Sequence, residues 1–377
     1  MAPLLVATYS APDHSFPNHH PEQPDRVHAI EKALQSDTEL YKNLEYIHRP
    51  NIPQITEKYL LAVHTENYLD HLRQSIPPPD SLHPIALRDP DDPDGPTYAT
   101  STSYNDALHA ASTAVSLINA VLSKQNTFSG AFSICRPPGH HATSNEYMGF
   151  CLLNSVAIAA RYAQRKLGLK KVAILDFDVH TGNGTSEIFY HDPSVLFIDI
   201  HKEGVWPGTG SLEETGAGSG EGSTINIPLP DGSGHSAAMA AMVEVVVPAL
   251  RRFQPELILL SAGFDAHYKD PLESLNYQSA TYHSITSSVL DVAKEIGEKL
   301  DSQGGGGDGD EVKVVAVLEG GYNQDVLGES ASEMARAFVG LPPKTEIVPI
   351  ESMPRPEPTE NEVQMVLEKV KKIHRLL

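Results

Sequence analysis

Short aliphatic and β-branched runs alternate along the chain with longer stretches whose apolar residues fall at helical spacing. The runs 131–134, 172–175, 195–198, 257–260 and 314–318 are too short for helices and hold almost no polar positions, the pattern of strands buried on both faces. Around them, 25–35, 57–74, 154–167, 235–253 and 277–300 repeat apolar residues every three or four positions, which predicts helices with one buried face. The alternation predicts a single α/β domain. Its central sheet is mostly parallel and flanked by helices on both faces, and ligands in such folds bind outside the C-terminal ends of the strands.

Punctuation refines this outline. The Pro- and Asp-rich stretch 77–96 predicts a long loop, and the glycine segments 216–222 and 304–309 predict flexible connections. The glycines of 208–220 do not make a dinucleotide-binding turn, because no strand runs directly into them and their spacing is wrong. Toward the end of the chain Val363, Val366, Leu367, Val370 and Ile373 share one helical face, so 346–377 reads as an extension whose amphipathic helix packs on a body spanning 1–345.

Charge narrows the function. With 28 Lys and Arg against 49 Asp and Glu, the formal net charge is −21. Nucleic-acid affinity comes largely from basic side chains displacing counterions, so direct binding of DNA or RNA is disfavoured, whereas cationic substrates would be attracted. Only Cys135 and Cys151 are present, which excludes a disulfide framework or a Cys-rich zinc module and suits a reducing compartment. No apolar run is long enough to span a membrane, and the first residues lack the basic region and apolar core of a signal peptide. The expectation is a cytoplasmic protein with no membrane partner, nuclear entry remaining open.

Polar residues follow the end of every predicted strand: RPPGHH, DFDVHTGNG, DIH, SAGFDAH and EGGY in turn. Singly these are caps, turns or satisfied core histidines; in register at one end of a sheet they make a site. Asp178 and His180 alternate along an extended segment and point to the same side. With Asp265 they offer two carboxylates and an imidazole, a donor set that zinc accepts while keeping a position open for water and substrate. His140 and His141 are nitrogen bases near their working pH. Asp176 can orient one imidazole and favour its charged form, and Asn183 can orient the other without adding charge. Tyr322, after a Gly-Gly pair that lets backbone come close, can donate its hydroxyl to an oxyanion.

In this order RPPGHHA, GFCLLN, DFDVHTGNGT, PGTG, GFDAH, DPL and EGGYN resemble the zinc-dependent histone deacetylase superfamily, which includes the acetylpolyamine amidohydrolases. HPEQPDR at 20–26 is similar to the amino-terminal loop of its class II-like branch, as in a compact plant member. The resemblance implies an arginase-deacetylase fold with one Zn2+ held by Asp178, His180 and Asp265. It implies His141 as general acid and base, His140 as an electrostatic partner held by Asp176, and Tyr322 as polariser of the acetyl carbonyl. A narrow channel for an acyl-lysine stem would be lined by Gly149, Phe150, Trp206 and Leu272, with Gly320 and Arg26 also binding substrate. A structural K+ or Na+ near the zinc would take Asp176 and the carbonyls of Asp178, His180 and Ile200, with Asp199 standing where serine is more usual. A mouth aspartate that grips peptide backbone has Asp91, Asp92 and Asp94 as candidates, although Pro96 occupies the aligned position.

The implied reaction is hydrolysis of an acetyl amide. Leu272 stands where the polyamine-selective branch carries glutamate, which favours acetylated proteins or peptides, histone tails among them, over acetylated small amines; the adjacent Glu273 pulls the other way. A catalytically silent acyl-lysine scaffold is disfavoured by the intact set of ligands, bases and tyrosine. A binuclear manganese ureohydrolase would need more bridging carboxylates than the sequence supplies.

Overall fold

The computed structural model describes residues 2–17, 20–48, 52–81, 83–89, 95–123, 127–302, 311–349 and 352–376. Its strands are β1 Leu4–Tyr9, β2 Leu44–Tyr46, β3 Ile85–Arg88, β4 Thr97–Ala99, β5 Gly130–Cys135, β6 Val172–Asp176, β7 Val195–Lys202, β8 Thr224–Leu229, β9 Leu257–Ala262 and β10 Lys313–Leu318. Eight of them form one sheet in the order β2-β1-β5-β10-β9-β6-β7-β8, and every pairing in it is parallel.

The predicted strands are the inner block, β5 to β7. Alternation divides their side chains between two cores: Phe132, Leu175, Ile198, Leu260 and Val314 pack on one face, and Ala131, Ile174, Phe197, Leu259 and Val315 on the other. Helices Asp25–Ser36, Ser279–Ser302 and Gln324–Phe338 cover the first face, and Glu66–Ser75, Ser103–Val121 and Ser155–Leu167 cover the second.

Several sequence expectations need correction. The stretch 57–74 is two helices, Glu57–Leu60 and Glu66–Ser75, because Thr65 caps the second by accepting from Tyr68 N at 3.3 Å. The stretch 77–96 is not all loop: β3 pairs antiparallel with β4 through a bulge at Ala86/Arg88. Helix 235–253 passes through a wider π turn at Met242–Val246, next to Pro248, whose missing N–H breaks the α ladder. Glycines 216–222 form a packed turn, with Ala217 N donating to Tyr190 O at 2.8 Å. The segment 304–309 lies outside the described residues.

The last helix, Glu360–His374, starts in a capping box of Thr359 and Glu362. Val363, Leu367 and Val370 are buried in the first core. Ile373 is 40% exposed, and His374 takes the buried position beside it.

Candidate active site

The inner strands deliver their polar residues within a few positions of their carboxyl ends, so groups far apart in sequence meet over β5, β10, β9 and β6. Asp178, His180 and Asp265 present ligand atoms that all lie within 4.8 Å of one another. Backbone amides fix them. Asp178 accepts from His180 N at 3.0 Å and Gly320 N at 2.8 Å, and Asp265 Oδ1 accepts from Val179 N at 2.9 Å. The opposite oxygen, Asp265 Oδ2, is buried with no hydrogen-bond partner among the described residues.

That donor set fits a divalent cation. Burial and the neighbouring Asp178 carboxylate both push Asp265 above the ordinary carboxylate range, a conflict that a bound dication removes. Space is reserved for the two acids by glycines: a Cβ on Gly320 would come within 2.1 Å of Asp265 Oδ2, and one on Gly263 within 2.0 Å of Asp178 Oδ2.

The two histidines lie side by side, ring centroids 3.9 Å apart, in opposite electrostatic settings. Burial disfavours a charge on His140, but Asp176 Oδ2 at 3.0 Å from Nδ1 and the nearby Asp178 outweigh it and raise its pKa well above the ordinary value. His141 goes the other way. Burial and the positive charges of His140 and His180 depress it, and Nδ1 meets the neutral Asn183 Oδ1 at 2.8 Å. Asn183 is itself fixed by its Nδ2, which donates to Met148 Sδ at 3.2 Å.

Two carboxylates that sequence reasoning passed over complete the floor. Glu319 Oε2 accepts from Gly139 N at 2.7 Å and His140 N at 3.1 Å, so it holds the turn that carries both histidines. Asp270 Oδ2 accepts from Tyr322 N at 2.7 Å and sets the backbone of that residue. Glu319 follows β10 as Asp176 ends β6, which was the available signal. Arg26, expected to bind substrate, does not line the cavity. It is fully buried, donates to Gly321 O at 2.7 Å and Glu319 O at 2.5 Å, and lays its guanidinium 4.8 Å from the Tyr322 ring centroid, so it supports the Glu319–Tyr322 turn from behind. Gly320 likewise sits beneath the acids rather than in the cavity.

A cavity of about 290 Å³ opens above these groups, lined by His141, Gly149, Phe150, His180, Trp206, Leu272 and Tyr322 together with Gly95, the buried Thr97 and the exposed Asp89. Gly149 has φ +53, and a Cβ there would meet His141 Cδ2 at 2.3 Å and Trp206 Cη2 at 2.7 Å. Trp206 stands edge-on to His141 at 4.7 Å. The carboxylate at the rim is Asp89, with φ 51; Asp91, Asp92 and Asp94 lie outside the described residues. Asp199 has both oxygens engaged, Oδ2 by Gly182 N and Oδ1 by His201 Nδ1, each at 2.9 Å. Ile200 follows it in β7, buried.

The model of the histone deacetylase domain matches residues 20–338. This chain belongs to the histone deacetylase family. Histone deacetylase 14, chloroplastic, of Arabidopsis thaliana is 39% identical over 90% of this chain and 77% of its own. Histone deacetylase 10, chloroplastic, of Oryza sativa subsp. japonica is 36% identical over 100% of this chain and 82% of its own. The crystal structure of the HDA15 HD domain superposes with a TM-score of 0.80 at 31% identity, covering 99% of this chain and 94% of that one. The fold is therefore the arginase-deacetylase fold, and the chain is a hydrolase of a metal-dependent family acting on acetylated substrates. The expectation of a cytoplasmic or nuclear protein is overturned, because both plant relatives are named chloroplastic, which points to a plastid. No helix among the described residues is long and apolar enough to cross a membrane.

Proposed function

We propose that this histone deacetylase family member is a zinc-dependent amidohydrolase that removes acetyl groups from Nε-acetyl-lysine side chains of proteins or peptides. The observation that carries the reading is the cavity whose apolar walls, Phe150, Trp206 and Leu272, lead down to His141, His180 and Tyr322. Such walls suit a methylene stem ending in an amide. Asp178, His180 and Asp265 would hold the zinc, which suits a mixed oxygen and nitrogen donor set and supplies a Lewis acid for the acetyl carbonyl and its attacking water.

The protein groups would divide the remaining chemistry. His141, its Nδ1 occupied by Asn183, has its other ring nitrogen left to take a proton from water and pass it to the departing lysine amine. His140, held charged by Asp176, adds positive potential where negative charge develops. Tyr322 donates its hydroxyl to the acetyl oxygen as that charge forms. The amide C–N bond breaks and leaves acetate and free lysine.

Support for a lysine substrate over an acetylated small amine comes from the wall itself. Leu272 lines the cavity, while Glu273 pairs with Lys202 at 2.5 Å. The test is turnover of an acetyl-lysine peptide and of acetylspermidine, compared on the same zinc-loaded protein. A higher kcat/KM for the peptide is expected; a preference for acetylspermidine overturns the lysine reading.

A further inference from the structure

The loop 270–276 carries Leu272 into the cavity wall. At its near end, Asp270 Oδ1 accepts from Leu272 N at 3.1 Å while its other oxygen holds Tyr322 N. At its far end it is held by a piece of chain eighty residues away in sequence. Arg355 Nη1 donates to the Ser274 carbonyl and, at 2.6 Å, to Ser274 Oγ. Asn276 Nδ2 donates to Arg355 O and to Gly232 O, both at 2.9 Å, so one buried amide joins the loop, the turn after β8 and the C-terminal segment.

The segment lies in a fitted groove. A Cβ on Gly232 would come within 2.2 Å of Pro356 O, and one on Gly234 within 2.0 Å of Glu357 Oε1. Further back, Gln278 Nε2 donates to Val348 O at 3.2 Å and Gln278 Oε1 accepts from Val348 N at 2.8 Å. Charge closes the circuit: Asp231 lies 3.8 Å from Arg355 and 2.8 Å from Lys202, which also pairs with Glu273.

We infer that Arg355 is a positioning residue for substrate binding, which ties the C-terminal segment to Ser274 and thereby fixes the loop that sets Leu272 against the channel. Arg355 itself does not line the cavity. The near end of the loop keeps its own anchor on Tyr322, so loosening the far end moves the wall more than the reacting groups. The inference rests on the reading of this cavity as the seat of the acyl-lysine stem.

The test uses the full chain, zinc-loaded, with kcat and KM measured separately on the acetyl-lysine peptide. Arg355→Ala should raise KM roughly fivefold with kcat changed by less than about twofold, the signature of lost binding rather than lost chemistry. Arg355→Lys, which keeps a cationic donor for Ser274, should recover most of that rise. Combined with Leu272→Ala, the two KM effects should fall short of multiplying, because both act through the same wall. An unchanged KM with a lowered melting temperature makes Arg355 plain structural support and overturns the inference, as does a fall in kcat with KM unmoved. Should Arg355→Ala fail to fold, Ser274→Ala removes one acceptor and must shift KM in the same direction. Wild-type protein inactive on the peptide but active on acetylspermidine defeats the lysine reading alone; the same KM ratio is then read on that substrate.

Discussion

At the floor of the cavity, Asp178, Asp265 and Glu319 are completely buried, and each accepts from backbone N–H in a turn that follows a parallel strand. Along the walls and rim, Trp206 is 41% exposed, and Asp89 and Phe150 take positive φ values of 51 and 66 on loops. The floor therefore inherits its geometry from the sheet, whose register leaves little freedom. The rim depends on how individual loops are tied. Groups fixed by the sheet suit metal and proton chemistry, where small displacements are costly, and groups on loops suit the choice of substrate.

The severest way to break this contrast is to remove a proposed metal ligand from the floor. Asp265→Ala should abolish turnover and lose stoichiometric metal together while the circular dichroism of the fold persists, because an incomplete donor set exposes the cation without compensation. Full metal occupancy in the folded variant, read by elemental analysis, would end the assignment of Asp265 as a ligand. Tyr322→Phe is next. It keeps the ring under Arg26 and removes only the hydroxyl, so kcat should fall about a hundred- to a thousandfold with KM little changed. A raised KM at near-normal kcat would move Tyr322 from the floor to the rim in functional terms. The smallest effect belongs to the rim itself. Leu272→Glu should shift the ratio of kcat/KM values toward acetylspermidine by roughly fivefold, since a part-exposed carboxylate at the wall gains a cationic partner that lysine peptides lack there. A change in kcat on both substrates alike would show that this wall reaches the chemistry.

The same division explains what the sequence disclosed. The strands legible as apolar runs, β5, β10, β9, β6 and β7, are contiguous in the sheet and buried on both faces. Those passed over lie to either side of that block: β2 is three residues long and only partly buried, and β8 carries Pro228, which demotes a run to an edge. β1, LLVATY, is aliphatic only in its first half, and Thr8 and Tyr9 break the run. Helix Ser103–Val121 is buried nearly all round and rich in Ala, Ser and Thr, so it shows little periodicity. At the site, Asp178, His180, Asp265, His140 and His141 were legible because each follows a strand within a few residues. Glu319 was masked by the Gly-Gly turn beside it, and Asp270 by its place in a loop. Asp89 could not be found by spacing, because what brings it to the rim is the β3–β4 pairing and a positive φ. Arg26 differs for the opposite reason: the family resemblance implies contact with substrate, whereas its guanidinium is taken up by the Gly321 and Glu319 carbonyls and the buried Glu22 carboxylate.

Trp206 has a consequence of a different kind. It is the sole tryptophan in the chain, and it stands edge-on to both His141 at 4.7 Å and His180 at 6.2 Å. Indole emission from this chain therefore comes from a single place, the wall of the cavity. Protonation of a neighbouring imidazole, arrival of a metal or seating of a ligand each alters the surroundings of that one fluorophore. The intact chain carries its own optical reporter of the site, and unlabelled protein in a cuvette should register occupancy before any product is made.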